Sequence, residues 1–175
     1  MAVSITIQNY LNALNVKYVQ LEHDHTSTSS MTAEVSHVPG SRLVKAVVIK
    51  DMMKEDGAKY MMALLPASHH LRLKELANLL GREVELASED EFSALFTDCD
   101  KGAVPALGQA YGIDVIVEDS LNKTDDLFFE GGDHETLVHL DAQSFEKLVS
   151  GSIHGHFSHH DKHPENRGGF RYSHN

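Results

Sequence analysis

Lys45 is the side chain of this chain whose surroundings most invite a chemical reading. It stands inside Leu43-Val44-Lys45-Ala46-Val47-Val48-Ile49, where strand alternation sets Leu43, Lys45, Val47 and Ile49 on one face and Val44, Ala46 and Val48 on the other. Both faces are apolar, as in a strand covered on two sides, and an ammonium there is costly to dehydrate unless an anion or a polar cleft receives it. The competing reading is a lysine near a strand end whose long stem carries the charge to water. A second candidate is the run Gly102-Ala103-Val104-Pro105-Ala106-Leu107-Gly108. Glycines let a backbone approach a ligand and proline fixes the loop, so amides and carbonyls there could hold an ester or a water. Glycine–proline loops without function are also common, and this one lacks the Gly-Lys-Ser/Thr ending of a phosphate-binding loop. The third is Gly131-Gly132-Asp133-His134-Glu135-Thr136, which sets His134, Thr136 and Val138 on one strand face. An imidazole there can be a general acid or base, a hydrogen-bond donor to a ribose or a carbonyl, or a structural histidine.

Other chemistry-bearing residues recede. His69 and His70 precede a helix and read as a solvated helix start. Cys99 is the only cysteine, so neither an intrachain disulfide nor a cysteine-based zinc site can form. No cysteine-protease signature surrounds it, and no Gly-x-Ser-x-Gly elbow or His-Glu-x-x-His pair is present. A net charge of −11 argues against a face that lies along many phosphates of a duplex, though a few local donors and stacking can still hold one single-stranded end.

These candidates need elements to position them. The 175 residues, 41% of them hydrophobic, suffice for one sizeable core and make two ordinary domains improbable. Apolar spacing predicts a helix from Ile5 to Leu14 behind Ser4, then a strand from Val16 to Leu21. A Ser/Thr-rich connection, His25 to Ser30, contains Thr26 and leads to a helix over Met31 to His37, stopped by Pro39-Gly40. Leu43 to Ile49 and Lys59 to Leu65, separated by a polar segment ending Glu55-Asp56-Gly57, read as an antiparallel hairpin. Arg72 to Leu80 is a helix with Gly81 at its C-cap, and Val84 to Ala87 is a short strand. Ser88-Glu89-Asp90-Glu91 is a capping box opening a helix to Phe96. Strands are expected over Ile113 to Val117, Leu127 to Glu130 and Thr136 to Leu140, and Asp141 caps a last helix to Val149. The fold class is α+β, a single compact domain over 1–150 with a mixed, mainly antiparallel sheet flanked by helices. From Gly151 the chain turns to glycine, charge and histidine (His154, His156, His159, His160, His163, His174), and 151–175 reads as a disordered tail. Its imidazoles lack a fixed ligand geometry, so no structural metal is expected. With no signal pattern and no apolar run long enough to span a bilayer, the expectation is a cytoplasmic protein with no membrane contact.

Taken in order, "SRLVKAVVIKD", "YMMALLPASHHLRLKELANLLG", "ELASEDEFSALFTDCDKGAVPALGQAYGIDVIVEDSL" and "FFEGGDHETLVHL" resemble the YbaK-like, prolyl-tRNA synthetase-associated editing domains over roughly residues 5–149. The resemblance implies hydrolysis of the ester joining a noncognate small amino acid to the 3′ end of a tRNA, often the proline tRNA, with no cofactor. It implies contact with the acceptor end of an aminoacyl-tRNA and allows a loose association with a synthetase. By the same resemblance Lys45, Gly102 and His134 are the catalytic candidates, and Ala103, Val104, Pro105, Gly132, Asp133 and Thr26 the substrate-binding ones. The loop here is spaced Gly-x-x-Pro rather than Gly-x-x-x-Pro. The last strand opens Gly-Gly-Asp-His-Glu-Thr where cysteine-clearing members carry Gly-Gly-Lys-Arg-Gly, which turns the expectation away from cysteine. The other open reading is a noncatalytic regulatory module that uses the same pocket for a nucleotide or an aminoacyl group.

Overall fold

The computed structural model describes residues 2–53 and 60–160. In chain order its elements are α1 (Ile5–Ala13), β1 (Val19–Glu22), α2 (Ser29–Val35), β2 (Leu43–Asp51), β3 (Tyr60–Pro66), β4 (His69–Leu71), α3 (Leu73–Leu80), β5 (Val84–Leu86) and α4 (Glu89–Phe92). Then follow β6 (Asp114–Glu118), β7 (Asp126–Glu130), β8 (Thr136–Asp141), α5 (Ala142–Val149), β9 (Ile153–Gly155) and β10 (Ser158–His160). The start signals act as expected. Ser4, Ser88 and Asp141 each accept a backbone N–H of the first turn, Ser88 within a complete capping box, and Gly81 closes α3 at φ +65°. Thr28 also caps α2, which starts at Ser29, ahead of the expected Met31. The helix expected to reach Phe96 is shorter, α4 giving way to a 3₁₀ turn over Ser93–Leu95.

The main sheet runs β1-β8-β7-β2-β3-β6-β9, with β5 also paired to β2. The pairs β1–β8, β7–β8, β2–β3 and β2–β5 are antiparallel, whereas β2–β7, β3–β6 and β6–β9 are parallel. This is the mixed, mainly antiparallel α+β sheet expected. The β2–β3 hairpin is antiparallel as well, while its connecting residues 54–59 lie outside the described residues. Both faces of the sheet are covered. Val44, Val48, Met62 and Leu64 pack with α1 and α5 on one side, and Ile49, Met61, Ala63 and Leu65 with Leu76 of α3 on the other.

Strand β2 is central and splits its neighbours. One edge is paired to β3 from Val44 to Lys50. Its other edge meets β7 only at Leu43 and Val44, and β5 only from Ile49 to Asp51. Among the described residues that edge therefore has no strand partner from Lys45 to Val47, and a cleft opens where β7 and β5 diverge.

The expected boundary at residue 151 is corrected. β9 extends the main sheet by pairing with β6, and β10 pairs with β4, so residues 153–160 belong to the domain. Phe157 is fully buried against the α3 side of the core. Residues 161–175 lie outside the described residues. His69 and His70, expected as a solvated helix start, instead form β4, where the His69 ring nitrogen Nδ1 lies 2.8 Å from the Ser158 hydroxyl.

A buried carboxylate fastens this edge. Glu118 is fully buried at the end of β6, accepts the Phe157 amide (2.8 Å) and lies 2.7 Å from His156 Nδ1. Burial works to raise its carboxyl, but the Phe157, Ser158 and His156 contacts outweigh it and leave it below the usual carboxylate value. A lowered folded-state value stabilises the fold at pH above the ordinary glutamate range, and that stabilisation is lost as pH falls through the lowered value. Glu118→Gln should therefore lower the melting temperature at neutral pH, and the gap from wild type should close on acidification below about pH 4. Melting curves from pH 7 downward check this.

Candidate functional site

The cleft beside the open edge of β2 has a volume of about 130 Å³. Its floor is Leu43 to Ala46 of β2, and its walls are Ser29 of α2, Glu89 and Phe92 of α4, Gly102 and Val104 of the loop, and Glu130 at the end of β7. Lys45, Gly102 and Val104, separated in sequence, thus share one concavity. The Lys45 ammonium donates to the His69 carbonyl across the hairpin, which gives the dehydrated charge a polar receiver.

Two loops make the wall at Gly102. The Asp100 amide donates to the Gly132 carbonyl (2.7 Å), and the Ala103 amide closes a turn on the Asp100 carbonyl (3.0 Å). His134 Nε2 lies 2.6 Å from the Lys101 carbonyl, which can only accept, so Nε2 carries the proton. This fixes the tautomer and makes His134 a clasp on the residue before Gly102. His134 is itself buried, in a left-handed conformation (φ +61°), with its ring 5.3 Å from that of His25. Of the roles open to this imidazole, the geometry supports the hydrogen-bond donor, directed at the loop.

Gly102 has φ +84°, and a Cβ there would sit 3.4 Å from His134 Cε1. Alanine would be strained by about 1–2 kcal/mol in this left-handed conformation and favours a shift of the backbone. Gly102→Ala should leave a folded protein whose turnover at this cleft falls by on the order of tenfold, one ångström of misplacement being enough for that. Circular dichroism and turnover, measured together, test it.

The remaining predicted binding residues stand behind the cleft. Ala103 and Pro105 are buried under the loop and hold its path. Gly132, at φ +121°, lets the second loop pass Cys99, whose sulfur would be 3.1 Å from a Cβ. Both Asp133 oxygens are spent inside the turn: Oδ1 accepts the amides of Glu135 (2.9 Å) and Thr136 (2.7 Å), and Oδ2 the Thr136 hydroxyl (2.9 Å). Asp133 thus organises the His134 turn and does not line the cleft. Buried Thr26 is likewise a support, its hydroxyl 2.6 Å from that of Thr32.

Sequence reasoning missed Glu130. Its Oε1 accepts the Thr32 hydroxyl (3.0 Å), while Oε2 is buried without a hydrogen-bond partner among the described residues. Burial pushes its carboxyl above the usual glutamate value, with the Thr32 hydrogen bond opposing. The signal was the one that picked out Lys45: a charged residue ending an apolar strand in which Leu127 and Phe129 are buried. Cys99, by contrast, is no activated nucleophile. Burial pushes its thiol up to about 11, and it lies 3.2 Å from the Tyr111 hydroxyl.

Fold and site together define a one-domain α+β protein whose ligand cleft lies at a split in its central sheet. The model of the aminoacyl-tRNA editing domain matches residues 23–148, and the chain belongs to that family. No curated protein matches the chain. Among solved structures, hypothetical protein APE2540 superposes with a TM-score of 0.76 at 19% identity, covering 88% of this chain and 99% of that one. A "putative trans-editing enzyme for prolyl tRNA synthetase" gives a TM-score of 0.71 at 18% identity, covering 90% and 99%. At such identities these likenesses concern the fold. No described helix is long and apolar enough to cross a membrane.

Proposed function

We propose that this protein is a trans-editing deacylase that hydrolyses the ester of a small noncognate amino acid on a tRNA, the proline tRNA being the first to test. The observation that carries the reading is the meeting of Lys45, Gly102 and Val104 in one cleft at the open edge of β2. Membership of the editing family and a structural neighbour described in terms of prolyl-tRNA synthetase support it.

An aminoacyl ester needs no protein nucleophile, because a held water and a stabilised oxyanion suffice and the vicinal ribose hydroxyl can assist proton transfer. Lys45 supplies positive charge to the terminal phosphate or the developing oxyanion. Gly102 and its loop hold the ester carbonyl and the water, and His134 sets that loop in place through Lys101. A cleft this small suits a small side chain and disfavours a larger one, as a second sieve does. A role at the acceptor end places the protein in the cytoplasm, near or loosely bound to a synthetase. The test is release of amino acid from mischarged tRNA over a panel of tRNA and amino acid pairs. Release from a subset confirms the reading, whereas binding without release across the panel selects the noncatalytic module.

A further inference from the structure

The cleft carries a carboxylate for which deacylation as derived above has no use. Glu130 lines it together with Lys45 and Gly102, yet no described lysine or arginine forms an ion pair with Glu130. Its Oε1 accepts the Thr32 hydroxyl (3.0 Å), which also lies 3.0 Å from the Thr28 carbonyl. The Thr26 hydroxyl, 2.6 Å from that of Thr32, must then be the donor of that pair. The carboxyl group is therefore placed by a relay of hydroxyls rather than left to swing. Its Oε2 stays buried without a partner.

A second acceptor stands nearby. His23 Nδ1 lies 2.7 Å from the Asp24 carbonyl and must donate to it, so in the neutral ring Nε2 is a bare lone pair. That Nε2 is also buried with no hydrogen-bond partner among the described residues. Unsatisfied acceptors of this kind, one of them a carboxyl oxygen, are costly unless a donor arrives to use them. An aminoacyl ester brings such a donor, since its α-ammonium has three N–H groups.

We propose that Glu130 receives the α-ammonium of the aminoacyl group, so that the cleft takes esters with a free amine and refuses N-blocked ones. This rests on the deacylase reading and deepens it. Peptidyl-tRNA carries the same ester but an uncharged amide nitrogen, and an editing hydrolase that cut it would destroy growing chains. A carboxylate at this position filters by charge, which pocket size alone cannot do.

The experiment uses two non-hydrolysable probes of equal size, 3′-amino-3′-deoxyadenosine carrying L-alanine or L-lactate in amide linkage on the 3′ nitrogen. They differ only in an ammonium against a hydroxyl. Titration calorimetry with the full chain should show the alanyl probe binding at least about tenfold more tightly, the usual strength of a hydrogen bond to a charged partner. In Glu130→Gln that preference should fall to within about twofold, at an unchanged or higher melting temperature, because an unpaired carboxylate has been removed. Equal affinity of the wild-type protein for both probes overturns the proposal, and so does an equal loss for both probes in Glu130→Gln. Hydrolysis of alanyl-tRNA is measured in parallel. Ammonium-selective binding without hydrolysis removes the deacylase reading and leaves the role of Glu130 standing, whereas hydrolysis with indifferent binding does the reverse.

Discussion

Lys45→Ala should lower deacylation by on the order of 100-fold, the usual effect of deleting one group aimed at developing charge. The expectation has two parts because the lysine stands where two requirements conflict. Leu43, Val47 and Ile49 share its face, and Val44 and Val48 pack on the other, so the position favours an apolar side chain. The fold tolerates an ammonium there because the His69 carbonyl receives it. Alanine removes an ammonium that the apolar position disfavours, which offsets the hydrogen bond lost at that carbonyl. The melting temperature of Lys45→Ala should accordingly stay near wild type while turnover collapses. Lys50→Ala is the control: that lysine lies on the same strand but is 2.9 Å from Glu91, and it lines no part of the cleft. Removing an exposed ion pair of this kind costs little, so Lys50→Ala should retain turnover. Unchanged turnover in Lys45→Ala would move the chemistry to another residue of the cleft.

What could be read from the chain follows from how far a residue's own pattern reveals its environment. The β2–β3 hairpin, the α3 helix with its glycine cap and the capping box at Ser88 all announce themselves within a few residues, because period and cap chemistry are local. Lys45 was legible for the same reason, as a charge breaking an apolar strand. Glu130 breaks its strand in the same way, but at the last residue before two glycines, where a charge looks like ordinary solvent exposure. Its hydrogen-bond partner is Thr32, far away in sequence. The roles of Asp133 and His134 depend on which neighbour each meets: the first is consumed by its own turn and the second by Lys101, and no spacing in the sequence distinguishes that from a side chain facing substrate. β4, β9 and β10 were missed because strands of three residues, rich in histidine, owe their form to a partner rather than to alternation.

That last miss yields the prediction with the largest effect on stability. Ending the chain at residue 150 deletes β9 from the edge of the main sheet, deletes β10 from β4 and removes Phe157, a fully buried ring packed with Leu76, Ile116 and Leu65. It also strips Glu118 of the Phe157 amide and His156. The point substitution Phe157→Ala isolates the first of these losses, at about 3–5 kcal/mol for a buried aromatic, or a fall in melting temperature of roughly 6–20 °C for a domain of this size. The truncation adds the loss of both Glu118 contacts and an unpaired edge on β6, so a chain of 1–150 should be unfolded or aggregating at a temperature where Phe157→Ala is still folded. A chain ending at residue 160 keeps both strands, the ring and the Glu118 contacts, and should melt as a cooperative unit. Thermal melts of the three proteins side by side decide the matter. If the 1–150 chain melts within a few degrees of the 1–160 chain, then β9, Phe157 and β10 lie on the domain without holding it together, and the boundary belongs at residue 151 after all.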